Sequence, residues 1–340
     1  MVSDRHMHAR HGWLGRHLAF LLCLGCGIAV VIVLIEALRP YDGTVQALRS
    51  DVAAPLAERA NAPFPRLIRD ASGTPLVIPH KPQRIVSQTL GTDEILLALC
   101  APQRIAALST LADDPHYSNV TAQAQLVKER VTADAEQMLS LSPEVIFVAS
   151  YSKAELVELL QAAHAPVLRF THFDRLDDIK ANIRTIGYAI GEDANAEALV
   201  QDMEHHLAQI QASLPTDRKP LRVMSYEPGG STAGAGTLFD DMLQALGVIN
   251  IAADQGITGF RQISSEQLIR WNPDVIISSA DRDGLAEARL HLLQDPAVAV
   301  TNAGKHQRVI VIPPHLFLTV THYITHSIER LARELYGEHS

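Results

Sequence analysis

The chain has 340 residues, with 29 Lys and Arg set against 38 Asp and Glu for a formal net charge of −9. An acidic chain with no basic run excludes a surface that tracks nucleic-acid phosphates. Its length predicts two domains and some additional segments.

Residues 18–38 are almost wholly apolar, broken only by Glu36, and are long enough to cross a bilayer. Arg5, Arg10 and Arg16 precede this run, which places residues 1–17 in the cytoplasm and the rest of the chain outside it. Ile35-Glu36-Ala37 is a poor cleavage site, so the segment is expected to remain as a transmembrane anchor in the cytoplasmic membrane. A lipidated Cys26 and a cleaved signal are the alternatives. Residues 39–65, rich in Pro, Ala and scattered charge, read as a tether.

Cys100 is the only cysteine beyond the apolar segment, so no disulfide staples the soluble part. Its place at the end of Ile95-Leu96-Leu97-Ala98-Leu99 predicts a packed thiol. The organised fold begins near Arg66, where alternation on both sides of Ala71-Ser72-Gly73 predicts a small hairpin.

Beyond the hairpin, the second half of the chain repeats the first. Arg84-Ile85-Val86-Ser87 has its counterpart in Arg222-Val223-Met224-Ser225, each a buried-strand pattern that follows a proline, Pro82 or Pro220. An acidic doublet then opens an apolar helix in each half, Asp93-Glu94 and Asp240-Asp241. Ser142-Pro143-Glu144-Val145-Ile146 mirrors Asn272-Pro273-Asp274-Val275-Ile276, a helix end followed by a buried strand. Further strands are predicted over residues 104–108, 166–170, 248–251 and 308–312. Continuous apolar strands alternating with helices imply parallel sheets covered on both faces. The expected fold is therefore α/β, with two Rossmann-like lobes at residues 66–176 and 215–340. Residues 177–214 carry Leu199, Met203, Leu207 and Ile210 at helical spacing and are read as a single long α-helix bridging the lobes.

From Ile68 to Leu335 the chain resembles the cobalamin and ferric-siderophore binding proteins of ABC importers. The resemblance rests on Pro82-x-Arg84-Ile85-Val86-Ser87, Thr92-Asp93-Glu94-Ile95-Leu96, Leu141-x-Pro143-Glu144-Val145-Ile146, Ile183-x-x-Ile186-Gly187 and Asn272-Pro273-Asp274-Val275-Ile276, in that order. It implies two α/β lobes with ligand held between them, and delivery to a permease dimer with its ATPase. It also implies an acidic residue on the outer rim of each lobe that docks on permease arginines; Glu94 and Asp241 match those positions.

Ligand contacts are expected at the carboxyl ends of the strands, where open α/β sheets expose their loops. In the first lobe these are Gln88, Thr89, Ser109, Thr110, Tyr151 and His172, and in the second Tyr226, Phe260, Arg261, Ser279, His315 and Phe317. Aromatic surfaces, hydroxyls and one arginine suit a bulky metal chelate, a ferric siderophore first and cobalamin second. His322 and His326 share a helix face, but their setting beside Tyr323 and Ile324 reads as packing rather than a metal site. A bare-metal carrier needs three or four converging His and carboxylate ligands, and only His172 and His315 qualify. A haem carrier fits the same fold. A hydrolase is the remaining alternative, but neither Ser87 nor Ser225 lies in a Gly-x-Ser-x-Gly turn. The Gly-rich stretch from Gly229 to Gly236 lacks the lysine of a phosphate-binding loop. No enzyme activity, resident cofactor or protein-held metal is therefore expected.

Overall fold

A computed structural model of the chain describes residues 62–69, 73–215 and 219–337. The expected anchor and nearly all of the tether lie outside these residues. Among the described residues, no helix is long and apolar enough to cross a membrane.

The hairpin forms as expected, with β1 (Arg66–Arg69) antiparallel to β2 (Pro75–Ile78). The first lobe follows with β3 (Ile85–Ser87), β4 (Ile105–Ser109), β5 (Glu129–Val131), β6 (Val145–Ala149) and β7 (Val167–Phe170). These make one parallel sheet in the order β5-β4-β3-β6-β7. The second lobe contributes β8 (Arg222–Ser225), β9 (Ser231–Ala233), β10 (Ile249–Asn250), β11 (Phe260–Gln262), β12 (Val275–Ser279) and β13 (Val309–Ile312). Its parallel sheet runs β10-β8-β12-β13, while β9 and β11 pair antiparallel as a separate ribbon. The central strands are buried along their length, as all five residues of β6 show, because helices cover both faces. The expected strand at 248–251 shortens to two residues because Asn250 turns to cap a one-turn helix, its Oδ1 accepting from Ala252 N.

The longer helices are α1 (Leu90–Leu99), α2 (Ala135–Ser140), α3 (Ala154–Ala162), α4 (Leu176–Ile190), α5 (Asp193–Ser213), α6 (Leu238–Ala245), α7 (Ser265–Trp271), α8 (Leu285–Gln294) and α9 (Ile324–Tyr336). The single bridging helix is corrected to two, α4 and α5. Gly191 ends α4 in the left-handed conformation at φ 72°, which a residue with a Cβ adopts only at a cost. Gly187 then lets α5 fold back closely, since a Cβ there would lie 2.3 Å from Ala196 Cβ. The buried Arg66 pins this turn, donating to Tyr188 O at 2.7 Å and Asp193 Oδ2 at 2.8 Å. Arg104 adds bonds to Ile190 O and Glu192.

One buried apolar cluster includes Ile78 of the hairpin, Leu96 of α1, Ile183 of α4, Val200 of α5, Ile277 of β12 and Leu335 of α9. The two lobes and their helical bridge therefore share a core, and the outer face of each sheet closes a smaller cluster of its own. Cys100 belongs to the shared core, and burial pushes its thiol up to about 11, as suits a packing residue.

Candidate functional site

Strand order reverses at β3/β6 in the first sheet and at β8/β12 in the second, so the loops leaving these strands diverge and open a crevice. A cleft of about 360 Å³ lies there, walled by both lobes. From the first lobe come Ser150 and Tyr151 after β6, and Thr171, Phe173 and Asp174 after β7. The second contributes Ser225 and Glu227 at the end of β8, the β9 residues Ser231 to Ala233, and Leu238, Phe239 and Met242 of α6. Phe260 of β11 and the segment from Phe317 to Val320 complete it.

Aromatic rings dominate the wall. Tyr151 packs on Phe173 at 5.8 Å between centroids, and Phe239 meets Phe317 edge-on at 6.0 Å. Tyr151 is 61% and Phe260 68% exposed, and large apolar groups left open in a concave site are what a ligand covers. Glu227 is half-buried, receiving Ser278 Oγ at 3.0 Å and Ser279 N at 3.2 Å. Burial nonetheless raises its carboxyl above the usual range. Thr232, a lining residue only 2% exposed, has a buried Oγ1 with no hydrogen-bond partner among the described residues.

Of the expected ligand contacts, Tyr151, Phe260 and Phe317 meet in this cleft. The others fall outside its lining, and their local bonds explain why. Thr89 caps α1, Ser109 donates to the buried Asp93 through both its hydroxyl and its backbone N, and Gln88 accepts from Ser152 Oγ. Thr110 opens an exposed 3₁₀ turn. His172 is exposed, with Nδ1 3.0 Å from Thr171 Oγ1. Tyr226, 6% exposed, belongs to the second lobe's core. Arg261 is exposed and donates to Phe260 O, and Ser279 supplies its backbone N to Glu227. His315 donates its backbone N to His116 O across the lobes.

Glu94 requires a larger correction, because it is buried, and Asp241, expected on an outer rim, is half-buried. Glu94 is 2% exposed. Its Oε1 accepts from Asn119 N at 2.9 Å and Asn119 Nδ2 at 3.0 Å, and its Oε2 from Thr321 Oγ1 at 2.6 Å. Asp241 is half-buried and accepts from Leu176 N at 2.7 Å, at the start of α4. Both carboxylates tie one part of the fold to another. Exposed first-turn acids do occupy equivalent places in the two lobes, among them Glu136 of α2 and Glu266 of α7. Their signal was in the repeat: Glu136-Gln137 and Glu266-Gln267 stand at the same distance ahead of Pro143 and Pro273.

Among the described residues, no group of three or more His, Cys, Asp and Glu is placed to hold a metal ion. The His322 ring lies tilted against Tyr323 at 4.1 Å between centroids, and burial pushes its imidazole down to about 4. Ser87 and Ser225 are engaged by Thr92 Oγ1 and by Ala233 N.

Residues 85–316 match the periplasmic binding protein family. The chain belongs to that family, and it is a substrate-binding protein of the ABC-transporter kind. It is 26% identical over 283 residues to the uncharacterized ABC transporter substrate-binding lipoprotein YvrC of Bacillus subtilis, covering 81% of this chain and 87% of that one. It is 27% identical over 243 residues to a cobalamin-binding protein of Halobacterium salinarum, covering 70% of this chain and 65% of the relative. The apo structure of the periplasmic heme-binding protein RhuT from Roseiflexus sp. RS-1 superposes with a TM-score of 0.64 at 26% identity, over 75% of this chain and 98% of that one. The molybdate-bound MolA of Haemophilus influenzae shares the fold, with a TM-score of 0.65 at 22% identity over 80% of this chain and 91% of that one.

Proposed function

We propose that this protein captures a metal chelate in the cleft between its lobes and delivers it to an ABC permease, with a ferric siderophore the first candidate and a corrinoid the second. The observation that carries the reading is an aromatic-walled cleft at the carboxyl ends of both sheets, with no metal-binding cluster among the described residues. A metal bound there must bring its own chelator, whose apolar body covers Tyr151, Phe260 and Phe317. Haem is the second reading, supported by the likeness to RhuT.

Delivery requires an acid that is open to solvent on each lobe. In this reading Glu136 and Glu266 meet the permease dimer, in place of Glu94 and Asp241, and pair with its arginines as exposed carboxylates do. The apolar segment at 18–38 holds the protein at the outer face of the cytoplasmic membrane.

The test is titration of the full-length protein with ferric hydroxamates, ferric catecholates, a corrinoid and haem, followed by protein fluorescence and visible absorption. Saturable binding by at least one chelate, weakened when Phe317 is replaced by Ala, is the expected result. Failure of all four classes refutes the proposal.

A further inference from the structure

We infer that the cleft selects its chelate by charge: it takes a cationic or neutral complex and rejects an anionic one, with Glu227 receiving the ligand's cationic or hydrogen-bond-donating group. This deepens the proposed function and rests on it.

The first observation is the sign of the lining. Asp174 and Glu227 are its only ionisable groups apart from the Tyr151 phenol, and no Arg, Lys or His is among the lining residues. Three arginines adjoin the lining without entering it, and each has at least one local contact, although the buried Arg169 Nε has no hydrogen-bond partner among the described residues. Arg169 donates to Ser150 O at 3.3 Å, Arg175 lies 3.9 Å from Asp241 Oδ1, and Arg261 donates to Phe260 O at 3.0 Å. A ferric tris-catecholate carries several negative charges and would face two carboxylates across an apolar wall, where screening by water is weakest.

The second observation concerns readiness. At the end of β8, Ser278 Oγ donates to Glu227 Oε2 and Ser279 N donates to Oε1, so each carboxylate oxygen has one protein donor. Glu227 is itself a lining residue, and a carboxylate has more acceptor sites than these two donors fill. Thr232, also a lining residue, is a further observation: its buried Oγ1 has no partner among the described residues, as is true of Ser279 Oγ beside Glu227. A buried hydroxyl left unpaired is costly and awaits a partner. The open faces of Tyr151 and Phe260 also favour a cation over an anion through their ring quadrupoles. A ligand with an apolar body and an ammonium or amide donor satisfies all of these groups together.

The test uses full-length protein and calorimetric titration with three ferric probes. One is a linear trihydroxamate complex with a free terminal ammonium, a monocation. The second is its N-acetylated form, which is neutral, and the third is a tris-catecholate complex, a trianion. An aquo-corrinoid and its neutral cyano form make a second cation and neutral pair. The expected order is cation, then neutral, then trianion, with the ammonium improving affinity by about tenfold, as one charge-assisted hydrogen bond does. Glu227→Gln should bring the cation-to-neutral ratio to within about twofold. Arg261→Ala should leave the order of the three as it is. A trianion that binds as tightly as the cation, or a ratio that Glu227→Gln does not move, overturns the charge rule while leaving the proposed function standing. Failure of every hydroxamate, catecholate and corrinoid probe overturns the charge rule, and failure of haem as well overturns both.

Discussion

Replacing Glu94 with Ala tests whether this carboxylate is a structural tie between the lobes. The substitution leaves Asn119 N, Asn119 Nδ2 and Thr321 Oγ1 without their acceptor. Each buried donor left unpaired costs about 1–3 kcal/mol, but Thr321 retains a second hydroxyl partner in Thr319 at 3.0 Å. Asn119 Nδ2 also reaches His315 O at 2.9 Å. With those partners counted, the expected loss is about 3 kcal/mol. Glu94→Gln is the control. Its amide oxygen can keep both Asn119 donors while its NH₂ donates to Thr321 Oγ1, so the expected loss is about 1 kcal/mol or less. Urea unfolding measures both values, and amide exchange over residues 315–321 should rise in the Ala variant alone. A small cavity of about 80 Å³ borders Glu94, and water entering it is the way the reasoning would fail. A Glu94→Ala loss under about 0.5 kcal/mol, or equal losses for Ala and Gln, would refute the account.

Asp93 is fully buried, and burial pushes its carboxyl from 3.8 up to about 7. A carboxyl whose pKa is raised by folding stabilises the fold at low pH and loses that contribution as pH rises through the folded value. Wild-type stability relative to Asp93→Asn should therefore fall between pH 3.8 and about 7, by at most on the order of 4 kcal/mol; unfolding midpoints that track each other across this window would contradict it. Gly187→Ala places a methyl 2.3 Å from Ala196 Cβ and should destabilise by about 1–3 kcal/mol in chemical unfolding. Charge reversal at Glu136 and Glu266 should abolish uptake in proteoliposomes that carry the cognate permease while chelate affinity in titration stays unchanged; normal uptake by the double variant would remove both residues from docking.

The repeat made the fold legible. Strands β3 and β8, and again β6 and β12, were visible as matched apolar runs after prolines. Tyr151 and Phe317 were reachable because strand ends can be located from sequence and loops after parallel strands face the crevice, whereas Phe260 reaches the cleft from the antiparallel β9-β11 ribbon. Glu94 and Asp241 were misplaced because an acid in a first helical turn looks the same whether it meets solvent or a distant loop. The packing of Asn119 and of residues 315–321 against α1 distinguishes the two cases for Glu94, and its partners Asn119 and Thr321 are 25 and 227 residues away in the chain. Phe239 and the segment from Leu318 to Val320 were missed for a related reason. A helix residue turned toward a cleft keeps the periodicity of a core residue, and an irregular segment has no periodicity to read. The break between α4 and α5 falls at Gly191, and their close contact depends on Gly187 meeting Ala196, a pairing that helical periodicity alone does not show.

The apolar cluster that continues from one lobe through α4 and α5 into the other limits how cargo can leave. Prising the walls apart by a wide rotation would wet side chains such as Ile183, Ile186 and Val200, all fully buried. At about 25 cal/mol for each Å² of apolar surface, uncovering even a few hundred Å² costs several kcal/mol. Thermal motion therefore seldom opens the molecule far enough to spill its load. Unloading becomes the step at which work must be done from outside, and loading is left to the lips of the cleft, where Tyr151 and Phe260 already stand open to solvent.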